Sequence, residues 1–395
     1  MLGSSLVQYA IMWYITLETK SGIMMTISII CGFLPMFFLS PFAGVWADRY
    51  DRKRLILLAD GAIALASLGA ALVFSLGYRS VWLLFAVMAL RAVGQAIQGP
   101  AVGAFFPQIV PEDKLTRVNG INGSIQSLIM ILSPILSGLL LTMGPIQRIF
   151  LIDVGTAIPA MLILAFFLRV PVHAKALAPQ TVSYFHDMRL GFRYIRDHRF
   201  LVSFFVYVGI FFFMVTPAAF LTPLLTARTF GAEVWRLTAI EIVFSVGMML
   251  GGALIATWGG FKNRMRTMVA SNVVMAICTI ALGLAPVFWL YLLVMGIFGV
   301  SMPLYNTSSA VMIQEHVDQD YMGRVYSVLA MLSTSLMPLG MLIFGPLADI
   351  VRIETLLIIT GAIMLVHGAR VFWDRTLMAA GVPKSAETAT QKYSK

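Results

Sequence analysis

The chain has 395 residues, 59% of them hydrophobic and 12% charged, with a net charge of +10 and a mean hydropathy of +0.88. Soluble domains are about 45–50% apolar and about 25% charged, so the composition excludes a water-soluble protein of two or three domains and points to repeated passage through a bilayer. A basic excess would suggest nucleic acid in a soluble chain; here the basic residues sit in short loops between apolar runs, which argues against that partner.

A bilayer core about 30 Å thick takes about 20 apolar residues of helix. Twelve such segments are predicted: 1–17, 23–46, 55–77, 81–105, 118–143, 149–170, 201–227, 237–258, 268–285, 287–310, 325–350 and 355–373. The runs are unbroken rather than alternating, which predicts helices and not barrel strands. The first is the weak member, because its 17 residues rise only about 25 Å. It reads as a short helix or a truncated one, and no cleavable leader is predicted ahead of it. Cys31 and Cys278 each lie inside an apolar run and read as packing residues, with no metal-ligand spacing around them.

Lys and Arg crowd one set of loops. Twenty-one lie in 49–54, 106–117, the 169–200 connection, 259–267, at Arg324 and in the tail; six, Lys20, Arg79, Arg148, Arg228, Arg236 and Arg352, lie in the opposite set. This bias predicts a plasma-membrane protein with both termini and the central loop in the cytoplasm. The predicted organisation is an all-α membrane protein of twelve spans in two pseudo-symmetric halves. Residues 1–170 form one six-helix bundle, 171–200 a cytoplasmic loop, 201–373 a second bundle and 374–395 a cytoplasmic tail. Within the loop, Phe185, Met188, Phe192 and Ile195 recur at helical spacing with Arg189, Arg193 and Arg196 on other faces, which predicts an amphipathic helix on the membrane surface.

The halves carry traces of a duplication. "VPEDKLTRV" from Val110 and "VDQDYMGRV" from Val317 share Val, Asp, Arg and Val at a constant offset of 207. The stretch "GVWADRYDRKRL" (44–55), between the second and third spans, has a weaker counterpart in "GGALIATWGGFKNRMR" from Gly251. Two parallel six-helix halves are a transporter plan with the substrate site between them near the midplane. A tight basic loop does not need Asp48 or Asp51, so paired carboxylates there suggest a clamp that opens when the halves rock.

Gly44, Ala47, Asp48, Arg49, Arg52 and Lys53 resemble the G-x-L-A-D-R-x-G-R-K signature of the major facilitator superfamily. Trp46 stands for the Leu and Asp51 for the second Gly, which leaves the turn geometry open. The resemblance implies a conformational lock at Gly44, Asp48, Arg49, Arg52 and Lys53. "PAVGAFFPQIVPEDKL" (100–115), "MRLGFRYIRDHRFL" (188–201) and "LTAIEIVFSVGMMLGG" (237–252) are similar to the drug:proton antiporter branch that includes the macrolide efflux pumps. That likeness implies proton-coupled efflux by alternating access. The branch's G-x-x-x-G-P-x-x-G-G motif is matched in the fifth span only at Pro134 and Gly138, with Ser133 and Ser137 in place of two glycines.

A charge at mid-bilayer costs at least about 2.5–3.5 kcal/mol on insertion scales, so each one needs a reason. Arg91 lies in the fourth span and is either satisfied by carbonyls and Gln95 or part of proton coupling. Glu241 is either a proton site or an interfacial residue paired with Arg236. Asp60, in the third span, is a weaker coupling candidate that can pair with the Arg-rich loop. Asp153 and Asp349 lie near helix ends; Asp153 joins the coupling candidates. Tyr9, Trp13, Tyr207 and Phe211 are candidates to line a substrate cavity, with lipid contact as the plainer role. Gly247 and Gly251 are spaced for close helix packing.

No P-loop, HExxH or GxSxG occurs and the five histidines form no ligand pairs. The reading is therefore a non-enzyme: no catalytic residue, no metal, no cofactor and no nucleic acid. Its predicted partners are a small molecule, protons and lipid, and it acts as a monomer. The rival readings are export of a native metabolite, siderophore or lipid and, more remotely, a membrane enzyme or receptor.

Overall fold

In chain order the helices are α1 (Leu2–Thr19), α2 (Gly22–Arg49), α3 (Arg52–Ser75), α4 (Val81–Ile109), α5 (Leu115–Met143), α6 (Gln147–Leu162), α7 (Tyr184–Asp197), α8 (Arg199–Phe220), α9 (Thr222–Thr229), α10 (Val234–Trp258), α11 (Arg264–Leu284), α12 (Phe288–His316), α13 (Gln319–Ile350), α14 (Ile353–Val371) and α15 (Arg375–Ala380). They come from a computed structural model that describes residues 1–168 and 184–382. A short 3-10 turn (Glu112–Lys114) precedes α5 and a π-helical segment (Ile163–Phe167) extends α6.

Among the described residues eleven spans are long and apolar enough to cross a bilayer, with α8 and α9 counted as one over Arg199–Thr229. The chain is an all-α, multi-pass membrane protein. The predicted first span is the difference. It forms a helix of 18 residues, but Ser4, Ser5, Gln8, Thr16 and Glu18 hold its hydropathy below that of the others. The seventh span bends at Leu221, where Pro223 opens α9 without an N–H to continue the ladder of α8.

The chain divides into two compact units, Met1–Thr181 with Ala232–Thr238, and Val182–Gly231 with Ala239–Lys395. In the first, α4 packs on α2 and α3, α3 on α6, and α1 on α5 and α6. Leu6, Ile11, Ala70, Phe74, Leu84, Met88, Ile149 and Phe150 form its main apolar core. In the second, α11 packs on α12 and α14, and α8 on α13 and α14. There α10 and α12 cross with their backbones in contact. A Cβ on Gly247 would lie 3.2 Å from the Gly299 Cα, and one on Gly251 would collide with the Val300 carbonyl. Only glycine permits that approach, so the predicted packing role of both glycines holds.

Both units start their third span in the same way. Asp51 caps α3, its carboxylate accepting from the Arg54 N–H at 3.2 Å; Asn263 caps α11, accepting from the Arg266 N–H at 3.2 Å. In each case the next residue reaches back five positions to the end of the preceding span: Arg52 Nε donates to the Ala47 carbonyl and Arg264 Nη1 to the Gly259 carbonyl, both at 2.8 Å. The duplication is thus written in backbone capping. The end of the chain's described part belongs to this arrangement: Asn263 Nδ2 donates to the Met378 carbonyl and the Arg264 N–H to that of Gly381, so α15 docks on the start of α11.

Candidate functional site

A charged cluster lies inside the first unit, built by α1, α3, α4 and α6. Arg91 and Asp153 are 1% and 2% exposed. Arg91 Nη1 donates to the Asp153 carboxylate and to the Ser67 hydroxyl, and its Nη2 donates to the Ser4 carbonyl at 3.2 Å. Ser67 Oγ in turn donates to Asp153 Oδ2 at 2.7 Å, and Ser4 Oγ to Asp153 Oδ1 at 3.2 Å. Each carboxylate oxygen therefore has a hydroxyl donor, and Arg91 Nε has no hydrogen-bond partner among the described residues. Gly3 makes the cluster possible: a Cβ there would come within 2.9 Å of the Asp153 Cα, so the first turn of α1 lies directly on α6 and delivers Ser4 to the ion pair.

Two helical turns along the same antiparallel α3–α4 pair, Gln98 donates to Asp60. The expectation that Asp60 pairs with the Arg-rich loop is corrected: the partner is an amide on the facing helix. Gly94 lies between the two links, its bare Cα facing Ile63. The two polar links and the glycine set the register of α3 against α4.

The loop between α2 and α3 is tied to helix ends. Arg52 Nη1 donates to the Ala104 carbonyl at 2.7 Å, near the end of α4, and Lys53 Nζ to the Ala165 and Leu168 carbonyls at 2.8 Å, at the end of α6. Cations on C-terminal carbonyls satisfy groups that a helix leaves unpaired. The open question about Asp51 is answered by its cap, for which a φ of −60° serves and no glycine is needed. Asp48 and Arg49 lie in the last turn of α2, and their side chains fall outside the described residues. Gly44 is half-buried on α2, with nothing near the position of a Cβ.

Pro134 and Gly138 are both within α5. Gly138 gives room to Trp13 of α1, whose ring a Cβ would meet at 3.1 Å. Ser137, one of the departures from the family motif, donates to the Leu6 carbonyl of α1 at 2.5 Å, and Ser133 is fully buried. Tyr9 and Trp13 meet edge to face at 5.7 Å.

In the second unit Glu241 is half-buried on α10, with no hydrogen bond or ion pair among the described residues. Arg236 donates to Glu233 at 2.8 Å, so the predicted Arg236–Glu241 pairing is replaced by a pairing with a loop residue. Asp349 holds Arg228 at 2.5 Å. Tyr207 and Phe211, on α8, are buried in an aromatic stack, Tyr207 on His367 at 5.0 Å and Phe211 on Tyr305 at 4.1 Å. An apolar groove of about 500 Å³ runs along α8 and α13, lined by Phe205, Gly209, Phe213, Met214, Leu332 and Leu336. Among the described residues no group of His, Cys, Asp and Glu is placed to hold a metal ion, and both cysteines are free.

Ser4 and Ser67 were not singled out from sequence, and Ser137 drew notice only as a departure from a motif. A serine beside small residues on a helix is too common to mark, and only its facing partner reveals its use.

The model of the Major Facilitator Superfamily matches residues 1–341. Macrolide efflux protein A of Streptococcus pyogenes is 29% identical over 367 residues, covering 92% of this chain and 90% of the relative. Macrolide efflux protein A of Enterococcus faecalis is 30% identical over 323 residues, 81% of this chain and 99% of the relative. Among solved structures, the nucleoside transporter NupG superposes with a TM-score of 0.65 at 14% identity, covering 96% of this chain and 98% of that one; at that identity the likeness concerns the fold.

Proposed function

We propose a function on one ground: this chain belongs to the major facilitator superfamily, and so it is a membrane transporter of small molecules and not an enzyme. It exports apolar or amphipathic compounds of the macrolide kind, by alternating access of its two six-helix halves, 1–170 and 201–373, joined by 171–200 and followed by the tail 374–395. Protons moving inward drive the export. It works as a monomer in the plasma membrane with both termini in the cytoplasm, the side on which the Lys and Arg excess falls.

The observation that carries the coupling is the buried Arg91–Asp153 pair. Two charges in a membrane-spanning bundle are expensive, and replacing such a pair by apolar residues often leaves stability unchanged or raises it. Its presence is therefore better explained by work done with charge than by fold. Glu241 is the second carboxylate in this reading, the group that takes up a proton as the transporter changes state, with Asp60 as a further candidate. Gly44, Asp48, Arg49, Arg52 and Lys53 form the lock, and the apolar groove beside Phe205 and Phe213 supports a bulky apolar cargo; of the cavity candidates, Trp13, Tyr207 and Phe211 are buried against protein and do not line that groove.

Everted vesicles test this. Uptake of a macrolide or an apolar dye into vesicles carrying the protein should follow an imposed proton gradient and collapse when a protonophore is added. Glu241→Gln and Arg91→Ala should each abolish gradient-driven uptake. Full gradient-driven uptake in both variants removes the coupling assignment, and no uptake of any apolar compound by the wild type removes the cargo.

A further inference from the structure

Helix α7 has two faces of opposite chemistry. Its inner face is docked on the start of α13. Gly191 lies against the backbone there, where a Cβ would come within 3.1 Å of the Arg324 carbonyl. Tyr194 stacks on Tyr321 with ring centroids 4.3 Å apart. The Tyr194 hydroxyl donates to the Asp318 carboxylate at 3.0 Å and accepts from the Asp318 N–H at 3.2 Å. Ile195 is buried on the same side. Of the four apolar residues of the expected surface helix, Ile195 faces protein, Phe192 is exposed, and the side chains of Phe185 and Met188 fall outside the described residues.

The docking fixes the rotation of the helix, and the opposite face follows from it. Arg189, Phe192, Arg193 and Arg196 stand at i, i+3, i+4 and i+7, a single stripe, and all four are exposed. Phe192 is 44% exposed. Asp197 lies 4.0 Å from both Arg193 and Arg196, contacts too long and too solvated to neutralise them. The stripe's place along the chain is close to a span. His198 alone separates α7 from α8, and Arg199 opens the apolar span Arg199–Thr229. The arginines therefore come three to ten residues before that span, with one aromatic ring among them.

We propose that this outward face is a binding site for anionic phospholipid headgroups. The three guanidinium groups hold lipid phosphate, and Phe192 enters the headgroup–acyl boundary beneath them. Occupancy is tied to α13 through Tyr194, because the same short helix carries both faces. This goes beyond the transport function and does not depend on it.

Native mass spectrometry of the full chain, released from nanodiscs of mixed phosphatidylcholine and phosphatidylglycerol, reads which lipid stays bound. The wild type should retain phosphatidylglycerol preferentially, and the preference should fall roughly fivefold for each arginine removed along Arg189→Gln, Arg193→Gln and Arg196→Gln. The corresponding triple Arg→Lys variant should keep most of it, which separates lost charge from lost fold. Equal retention of the two lipids by the wild type overturns the proposal, as does a preference unchanged in the triple Gln variant. Displacement of the lipid by soluble glycerol phosphate also overturns it, since the arginines would then serve a soluble phosphate compound.

Discussion

Asp153→Ala is the most informative single change in the first unit. Among the described residues it strands Arg91, 1% exposed, with only the Ser67 hydroxyl and the Ser4 carbonyl as partners and with Nε already unpartnered. Removing one member of a buried pair costs about 3–5 kcal/mol, a large share of a total stability of about 5–15 kcal/mol. For a six-helix unit each kcal/mol moves the melting temperature by roughly 2–4 °C, so the variant should melt roughly 6–20 °C below the wild type. Scanning calorimetry reads this loss; a thiol-reactive fluorophore, through the free and 5% exposed Cys278 of α11, reads the second unit. Arg91→Met combined with Asp153→Leu removes both charges at similar volume and should recover most of the loss, since no charge is then left unpaired. In vesicles the recovered double variant should still fail to couple efflux to the gradient. A single variant as stable as the wild type, or a double variant no better than the single, would show that the two residues are not energetically coupled.

Three further outcomes follow from the packing. Asp51→Ala removes the cap of α3 and should cost about 1 kcal/mol, whereas Asp51→Gly should cost only a few tenths; comparable losses in thermal unfolding would mean the cap is not what Asp51 contributes. Gly251→Ala places a methyl against the Val300 carbonyl and should destabilise by about 1–3 kcal/mol, read by the same fluorophore; no loss would mean α10 and α12 are not in backbone contact. Tyr194→Phe deletes both hydrogen bonds to Asp318 and should raise amide exchange over 189–197 and at the start of α13. Burial, ahead of Asp318, pushes the Tyr194 hydroxyl above its ordinary value of 10.0. The neutral form is therefore the one the fold favours, and wild-type protection should be level through neutral pH and fall as the pH climbs from 10.0 through that raised value; a fall at neutral pH would refute the assignment.

Much of the fold could be read from the chain because hydropathy and helix length are local properties. Eleven of twelve predicted spans meet the criteria for crossing a bilayer, and the exception, α1, was the one whose length was already short. Arg91, Asp153, Asp60 and Glu241 drew notice because an intramembrane charge is expensive wherever it occurs. Their partners did not, because periodicity gives the face of a helix and not which helix it meets. Arg91 and Asp153 are 62 positions apart, and neither carries a mark of the other. Asp51 shows a different limit. Read against a family pattern it leaves the turn geometry open; read as a residue before a helix it is an ordinary N-cap, and the second reading is available from the sequence alone.

The duplication repeats the scaffold but not the chemistry. The polar cluster of the first unit is supplied by its first, third, fourth and sixth spans, through Ser4, Ser67, Arg91 and Asp153. The corresponding spans of the second unit, α8, α11, α12 and α14, also bring polar side chains together: Tyr207, Asn272, Tyr305 and His367, with His367 Nε2 3.3 Å from the Tyr207 carbonyl and Asn272 beside Gly368. The offset of 207 that aligns the loops pairs Tyr305 with Gln98 and Arg91 with Phe298, so the two clusters lie on equivalent helices but not at equivalent positions. One cluster holds a full ion pair and the other is built of groups that are neutral in their ordinary state, although the four helices correspond in order and the caps that start the third span match. Desolvation explains why the cheaper, uncharged solution is open to either unit. The first unit's departure from it therefore needs a cause outside packing, and on the proposed mechanism that cause is coupling.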